Sequence, residues 1–558
     1  MHFGDVTDRY STSEIERYHR EGHWTDRTLF DELEHQVETR ASKVFITDDT
    51  TALTYQEVLD RASRVAVALS RLGIGRGQAV AVQLPSWTEF AVLTAAIDRL
   101  GAIIVPIQPI YRASEVAHII ATAGVRVAFT ANTFRGFDHA AMFAALVESQ
   151  PSLEHVVSVR EPGPARTVFL DELVAGITAE DVATLPPAEH GPDDPFGIVF
   201  SSGTTSRAKG CVHTFNTLAA SARLQGENYR YSDRDVQFGP SPICHTTGLV
   251  TSLILPLVHG ASSHVMERWD PELALEHIER LGCTITINAS TFLHATLSAF
   301  RPADHDLSTM RIWVLAGSPV PRALVERGRR AAPDLTILSL YGRTENVTMT
   351  MCSIDDDPER SLTSDGRALR GQEVVIMDSS GAEVPRGTEG EIAYRGSMSI
   401  LRYAGMPELT EEMFTDDGFS RSGDLGVMDG DGYVRVTGRL KDIVIRGGVN
   451  ISVREIEDLL AAHDAVEDTA VVAMPDPMMG ERACCYLVPA AGHDAMTLDD
   501  IRGYLTGKGL AIQKVPERLV VIDQLPTTPT GKVQKNILRD DIARAVACEN
   551  ATTSAADS

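Results

Sequence analysis

The stretch Phe200-Ser-Ser-Gly-Thr-Thr-Ser-Arg-Ala-Lys-Gly210 decides how this chain is read. The apolar run from Phe196 to Phe200 leads into it and reads as a strand. The hydroxyl residues Ser201, Ser202, Thr204, Thr205 and Ser206 follow, broken by Gly203 and closed by Lys209 and Gly210. Small residues let a backbone approach a polyanion closely, and N–H groups, hydroxyls and one ammonium share its charge. A Walker A loop needs a second glycine before the lysine and a hydroxyl residue after it. Here Ala208 and Gly210 occupy those positions, so the loop is of another kind. The competing reading is a flexible linker. A linker rarely follows a buried strand directly or ends on a basic group, so a phosphate cradle is favoured.

Around this loop, strands alternate with helices. Asp60 to Leu72 carries apolar residues at helical spacing and ends at Gly73, Ala79 to Leu84 reads as a strand, and Glu89 to Leu100 as the next helix. The alternation resumes through Ile285-Thr-Ile-Asn, Ile312-Trp-Val-Leu and Thr336-Ile-Leu-Ser-Leu. It predicts layered α/β subdomains with parallel strands. After about residue 365, short β-rich segments predict a small distorted β-barrel. Beyond Gly438-Arg-Leu-Lys-Asp442, a small α+β unit is expected, with Ser452-Val-Arg-Glu455 at capping-box spacing. The expected division is 1–440, 441–545 and a disordered tail, 546–558. Residues 1–25 are polar and mixed in charge and read as a wrapping arm.

Bulk properties narrow the class. At 558 residues the chain exceeds one core, and a net charge of −26 argues against nucleic acid or an anionic membrane as main partner. The seven cysteines form no C-x-x-C pair, which excludes a signalled zinc site or disulfide framework. No basic-then-apolar leader and no run of transmembrane length is visible, so a cytoplasmic location is expected.

Four further segments carry chemistry. In Ser339-Leu-Tyr-Gly-Arg-Thr-Glu345 a strand ends where α/β proteins place ligands, with an aromatic to stack a base and a carboxylate to hold Mg²⁺. Ser420-Arg-Ser-Gly-Asp424 sets a carboxylate in a glycine turn, suited to ribose hydroxyls or to an Asx-turn. Gly438 to Ile451 is a basic joint followed by Gly447-Gly448, and Leu525 to Lys535 presents Lys532 just after a glycine. Taken singly, each has a bland alternative as a solvated turn or linker.

Together, in this order, the five segments resemble the adenylate-forming superfamily of acyl- and aryl-CoA synthetases, peptide-synthetase adenylation domains and luciferases. The resemblance runs from about Thr28 to Arg539, and it implies an ATP-dependent carboxylic acid–CoA ligase working through an acyl-adenylate with release of pyrophosphate. The alternatives are an aryl-acid AMP ligase loading a carrier-protein phosphopantetheine, or an adenylating enzyme with another acceptor, such as an ATP-dependent diazotising relative. ATP, Mg²⁺ and CoA are the implied cofactors, and a homodimer is allowed.

Residue by residue, the resemblance implies that Ser201, Ser202, Gly203, Thr204, Thr205, Ser206 and Lys209 hold the β- and γ-phosphates. Ser206 and Ala208 stand where glycine and proline are common. It implies Tyr341 against adenine, Thr344 near the α-phosphate, Glu345 on Mg²⁺, Asp424 on ribose and Arg439 near ribose and phosphate. Gly317, Ser318 and Pro319 would line the adenine and acyl sites. Lys532 would be the catalytic lysine, Lys441 the hinge, and Gly447 and Gly448 the thiol channel. His245 falls at the acyl-pocket entrance; with Thr246, Asn288, Ser290, Gly317, Gly342, Arg343, Asn346 and Thr348 it makes the expected acyl pocket. A packed core histidine is the alternative for His245. Arg343 is expected to form a salt bridge at the cleft rim, or to meet a second anionic group of the acid. The mix of small, polar and apolar walls implies an aromatic, alicyclic or short-to-medium-chain acid, and His245 in place of the asparagine typical of 2,3-dihydroxybenzoate-type ligases tilts the acceptor towards CoA.

Overall fold

Ala79–Gln83 is buried at every residue because helices cover the sheet on both faces, which is why it reads as a continuous apolar run. The helix Tyr55–Arg71 begins with a true capping box, Thr54 and Glu57 each bonding the other's backbone N–H. Gly73, at φ +77°, turns the chain out of it. A computed structural model describes residues 3–201, 208–317, 320–447, 449–528 and 531–556.

Two large sheets form the bulk of the protein. One has eight strands in the order 402–403, 210–214, 195–200, 103–106, 79–83, 127–131, 155–159 and 168–169. The other has nine, running from 367–368 through 346–351, 336–343, 312–316, 285–288, 236–239, 262–265 and 44–47 to 52–54. Their central strands are parallel, as the alternation of strands and helices requires. At the site the pattern changes, because 195–200 pairs antiparallel with 210–214 and 336–343 with 346–351. The hydroxyl-rich loop therefore joins a hairpin, and Thr344 and Glu345 form the turn of another.

The expected distorted barrel takes the form of a four-stranded antiparallel sheet, 372–377, 390–396, 420–428 and 434–439. Past it, residues 444–446, 449–451, 466–476, 480–489 and 518–521 make a five-stranded sheet. Cys484 and Cys485 lie side by side in it and, by strand alternation, face opposite ways. Cys484 packs with Leu538 and Ile542, and Cys485 with Ile456 and Ile501.

Two expectations are corrected here. Ser452 does not cap its own helix: its hydroxyl donates to the Thr437 carbonyl at 2.8 Å, and Glu455 pairs with Lys514. That hydroxyl instead ties the helix Val453–Leu460 to the preceding sheet. The tail from 546 is not disordered throughout, since the helix Lys535–Ala556 runs through it and Glu549 pairs with Arg518 at 2.7 Å. The arm before residue 25 does wrap the body, through buried aromatics: Tyr10 donates to the Ser399 carbonyl and Trp24 Nε1 to that of Ser397.

Candidate functional site

A cavity of about 300 Å³ opens where the two large sheets and the C-terminal unit meet. Ser201 and Lys209 line it from the hairpin, where the Ser201 N–H donates to the Lys209 carbonyl at 2.9 Å. Ser202, Gly203, Thr204, Thr205 and Ser206 lie outside the described residues, as do Ser318, Pro319 and Gly448.

Glu345 is buried in the next hairpin turn. Tyr403 donates its hydroxyl hydrogen to the Glu345 carboxylate at 2.8 Å, and Arg343 Nη2 stands 3.4 Å from the same Oε1. Burial alone would raise this carboxyl's pKa, but Arg343, Tyr403 and Lys209 outweigh it and hold it below its ordinary value. The pairing gives Arg343 the salt bridge expected of it, within the cleft rather than at its rim. Arg343 lines the cavity, and the Glu345 charge overcomes desolvation to keep its guanidinium strongly protonated. Behind the turn, the buried His213 ring bonds the Thr344 carbonyl through Nε2 at 2.8 Å and Thr217 through Nδ1 at 3.1 Å, fixing the Thr344 backbone.

Asp424 is not spent on a local turn. It is buried, with Tyr341 donating to Oδ2 at 2.5 Å and Arg439 Nε at 2.8 Å from Oδ1. Arg439 and Lys441 reach the cavity. Lys441 lies in the turn Leu440–Asp442, where burial and then Arg439 lower its pKa, and Arg539 clasps the neighbouring Asp442 at 2.7 Å.

Lys532 enters from the C-terminal unit. A Cβ built on Gly317 would stand 2.7 Å from its Cε and 3.3 Å from its Nζ, so the lysine packs directly against a glycine at φ +76° and would have to shift to admit a side chain there. Burial first, and then the Arg439 charge, lower its pKa to about 8. His245 faces the same space. Its Nδ1 accepts the Thr247 N–H at 3.2 Å, which leaves Nε2 to carry the hydrogen, and burial followed by the Lys532 charge lowers its pKa to about 3. The ring is therefore a neutral donor at the wall, rather than a packed core histidine.

Thr246, Asn288, Gly317, Gly342 and Thr348 line the cavity as expected. Ser290 and Asn346 do not. The wall passes through Ala289, while Ser290 starts the helix Ser290–Ala299, and Asn346 donates its amide to Gln372 at 3.1 Å. Gly447, at φ +55°, donates its N–H to the Met479 carbonyl at 2.8 Å and is not part of the lining. Sequence reading missed Tyr403 and His213, and neither stands in a motif that signals a role. No helix among the described residues is long and apolar enough to cross a membrane.

Comparison with known proteins agrees with this geometry. Residues 33–404 match the model of the AMP-binding enzyme family, and residues 455–532 that of the AMP-binding enzyme C-terminal domain. The chain is 33% identical to the medium-chain fatty-acid–CoA ligase of Escherichia coli (strain K12), over 97% of this chain and 94% of that one. It is 32% identical to a salicyl-AMP ligase / salicyl-S-ArCP synthetase of Mycobacterium tuberculosis (strain ATCC 25618 / H37Rv), over 93% and 92%. Among solved structures, the anthranilate CoA ligase AuaEII with anthranoyl-AMP superposes with a TM-score of 0.86 at 27% identity, covering 94% of this chain and 98% of that one. The chain belongs to the AMP-binding enzyme family, the adenylate-forming superfamily, and is an AMP-forming acid–thiol ligase of the class that works with ATP, Mg²⁺ and CoA.

Proposed function

We propose that the protein joins a compact carboxylic acid, aromatic, alicyclic or short-to-medium-chain, to CoA through an acyl-adenylate. The observation that carries this reading is Lys532 laid against Gly317 inside the cavity that Glu345, Arg439 and His245 also line. A carboxylate attacking the α-phosphorus of ATP needs little acid–base help. It needs charge stabilisation on the transferring group and a dry enclosure for the mixed anhydride.

Lys532, as an ammonium, would stabilise charge on the α-phosphoryl oxygens, with Thr344 beside it. Lys209 would hold the leaving pyrophosphate. The buried, ionised Glu345 fits a hard divalent cation, and Mg²⁺ held there would neutralise phosphate charge. Asp424 and Arg439 would hold the ribose, and Tyr341 the adenine edge. The neutral His245 and the Thr246 hydroxyl, which has no hydrogen-bond partner among the described residues, line the cavity and would receive the acid. In the second half-reaction the unit beyond residue 440 would turn about Lys441, withdrawing Lys532 and bringing Gly447 towards an incoming thiol.

A second reading, transfer to a carrier protein, is favoured by the salicyl-AMP ligase relative at nearly the same identity. Pyrophosphate release across a panel of acids, with and without CoA, separates the two. The proposal expects acid-dependent release and a CoA thioester. Release with no thioester favours the carrier reading, and no release with any acid refutes the ligase proposal.

A further inference from the structure

Away from the cavity, three metal-ligating side chains from separate elements converge. His264 sits on the strand Ser262–Val265, His277 on the helix Pro271–Leu281, and Asp49 just past the strand Val44–Thr47. Strands 44–47 and 262–265 are parallel neighbours, with Thr47 opposite His264, so Asp49 emerges beside the histidine. The helix is firmly set by the Asp270 cap, Pro271 in its first turn and Gly282 at its left-handed end. His264 Nε2 and His277 Nδ1 lie 2.7 Å apart, and Asp49 Oδ1 stands 3.9 Å and 3.8 Å from them. The three ligand atoms all fall within 4.8 Å of one another.

The geometry points to a binding site for one divalent transition-metal ion of the zinc class, held by His264, His277 and Asp49. Two imidazoles and one carboxylate are a zinc-type ligand set, softer than the all-oxygen sets of Mg²⁺ or Ca²⁺. Tetrahedral zinc with bonds of about 2.0–2.1 Å places its ligand atoms roughly 3.3 Å apart. The ring nitrogens must part, and Asp49 close in, by about half an ångström each, well within side-chain adjustment.

The surroundings match a metal site. Thr47 Oγ1 lies 2.9 Å from His264 Nδ1 and anchors that edge of the ring, the place a supporting partner takes behind a ligating imidazole. Both histidines are buried, whereas Asp49 is more exposed. Asp49 also forms part of the wall of a cavity of about 500 Å³, which gives an entry path and room for water in the fourth position. The same wall carries Glu161 and Glu267 against Arg135, Arg160 and Arg268, so its charge is balanced and the ligand set itself, not the surrounding field, would select the cation. A hydrogen shared between the rings and a bridging cation are the competing occupants of the gap, and measurement separates them.

The test uses the full chain in millimolar Mg²⁺, so that Glu345 is occupied, and a Cys548→Ser background, which removes the exposed thiol. Zinc binding is read by equilibrium dialysis, and cobalt(II) by its visible d–d absorption. The site predicts one equivalent bound in the micromolar range, tetrahedral cobalt bands without thiolate charge transfer, and at least a tenfold loss of affinity in Asp49→Asn and His277→Gln. Asp49→Asn alters a more exposed side chain and should keep its fold and its pyrophosphate release. No saturable metal, or unchanged affinity in Asp49→Asn, overturns the inference in favour of a hydrogen-bonded histidine pair.

Discussion

Tyr403 donates its hydroxyl hydrogen to the carboxylate of Glu345 at 2.8 Å, fixing the acid that the proposed mechanism places on Mg²⁺. A hydrogen bond to a charged group contributes about 1.5–3 kcal/mol. Tyr403→Phe removes it and leaves Arg343 as the main restraint on that carboxylate. The Mg²⁺ concentration for half-maximal pyrophosphate release should rise about fivefold, part of that energy. An unchanged Mg²⁺ dependence would show that Tyr403 only fills space.

The alkaline limb of the pH profile should belong to Lys532. Its pKa is lowered to about 8, so the ammonium is complete well below that value and is lost as pH rises through it. Adenylation should be nearly flat from pH 6 to 7 and fall roughly tenfold per unit well above 8. In Lys532→Arg the guanidinium stays charged, so whatever activity remains should lose this limb. His245, lowered to about 3, stays neutral throughout, and His245→Gln should leave the profile's shape unchanged. An alkaline limb that persists in Lys532→Arg would assign the titration elsewhere.

Gly317→Ala is a steric probe of closure. The new Cβ meets Lys532 Cε at 2.7 Å, at a residue with φ +76°. The strain at such a position is about 1–3 kcal/mol, too little by itself to unfold a domain of ordinary stability. Adenylation should fall at least tenfold, while thioester formation from supplied acyl-adenylate is largely kept. Comparable loss of both, with an unchanged melting temperature, would argue against this contact as the closure point.

The N-terminal arm supports the site from behind. Trp24 and Tyr10 bond the carbonyls of Ser397 and Ser399, and the next N–H, that of Ile400, donates to the Glu345 carbonyl at 3.0 Å. Trp24→Ala should destabilise the protein by about 3–5 kcal/mol, as for other buried tryptophans, and raise the KM for ATP. A thermal melt together with ATP kinetics checks both.

What was legible in the sequence was what repeats or what sits in a motif. Buried parallel strands such as Ala79–Gln83 announce themselves as apolar runs, and Lys532 follows a glycine in a Pro/Thr-rich stretch. Residues whose roles come from tertiary approach were silent. Tyr403 and His213 act only because distant segments fold against Glu345 and Thr344. Ser452 misled because its local spacing fits a cap, while the Thr437 carbonyl, 15 residues earlier in sequence, takes its hydroxyl. For Arg343 the sequence suggests a salt bridge at the rim but not its partner, which the fold supplies as Glu345.

The central claim is that Lys532 serves the first half-reaction and leaves before the second. Lys532→Ala, given acid and ATP, is measured for pyrophosphate release and, given synthetic acyl-adenylate and CoA, for thioester formation. Loss of a developing-charge contact of this kind costs about 10²–10³ in rate. The account predicts a loss of that size in pyrophosphate release, with thioester formation within about threefold of the unaltered protein. Equal loss in both half-reactions would contradict it.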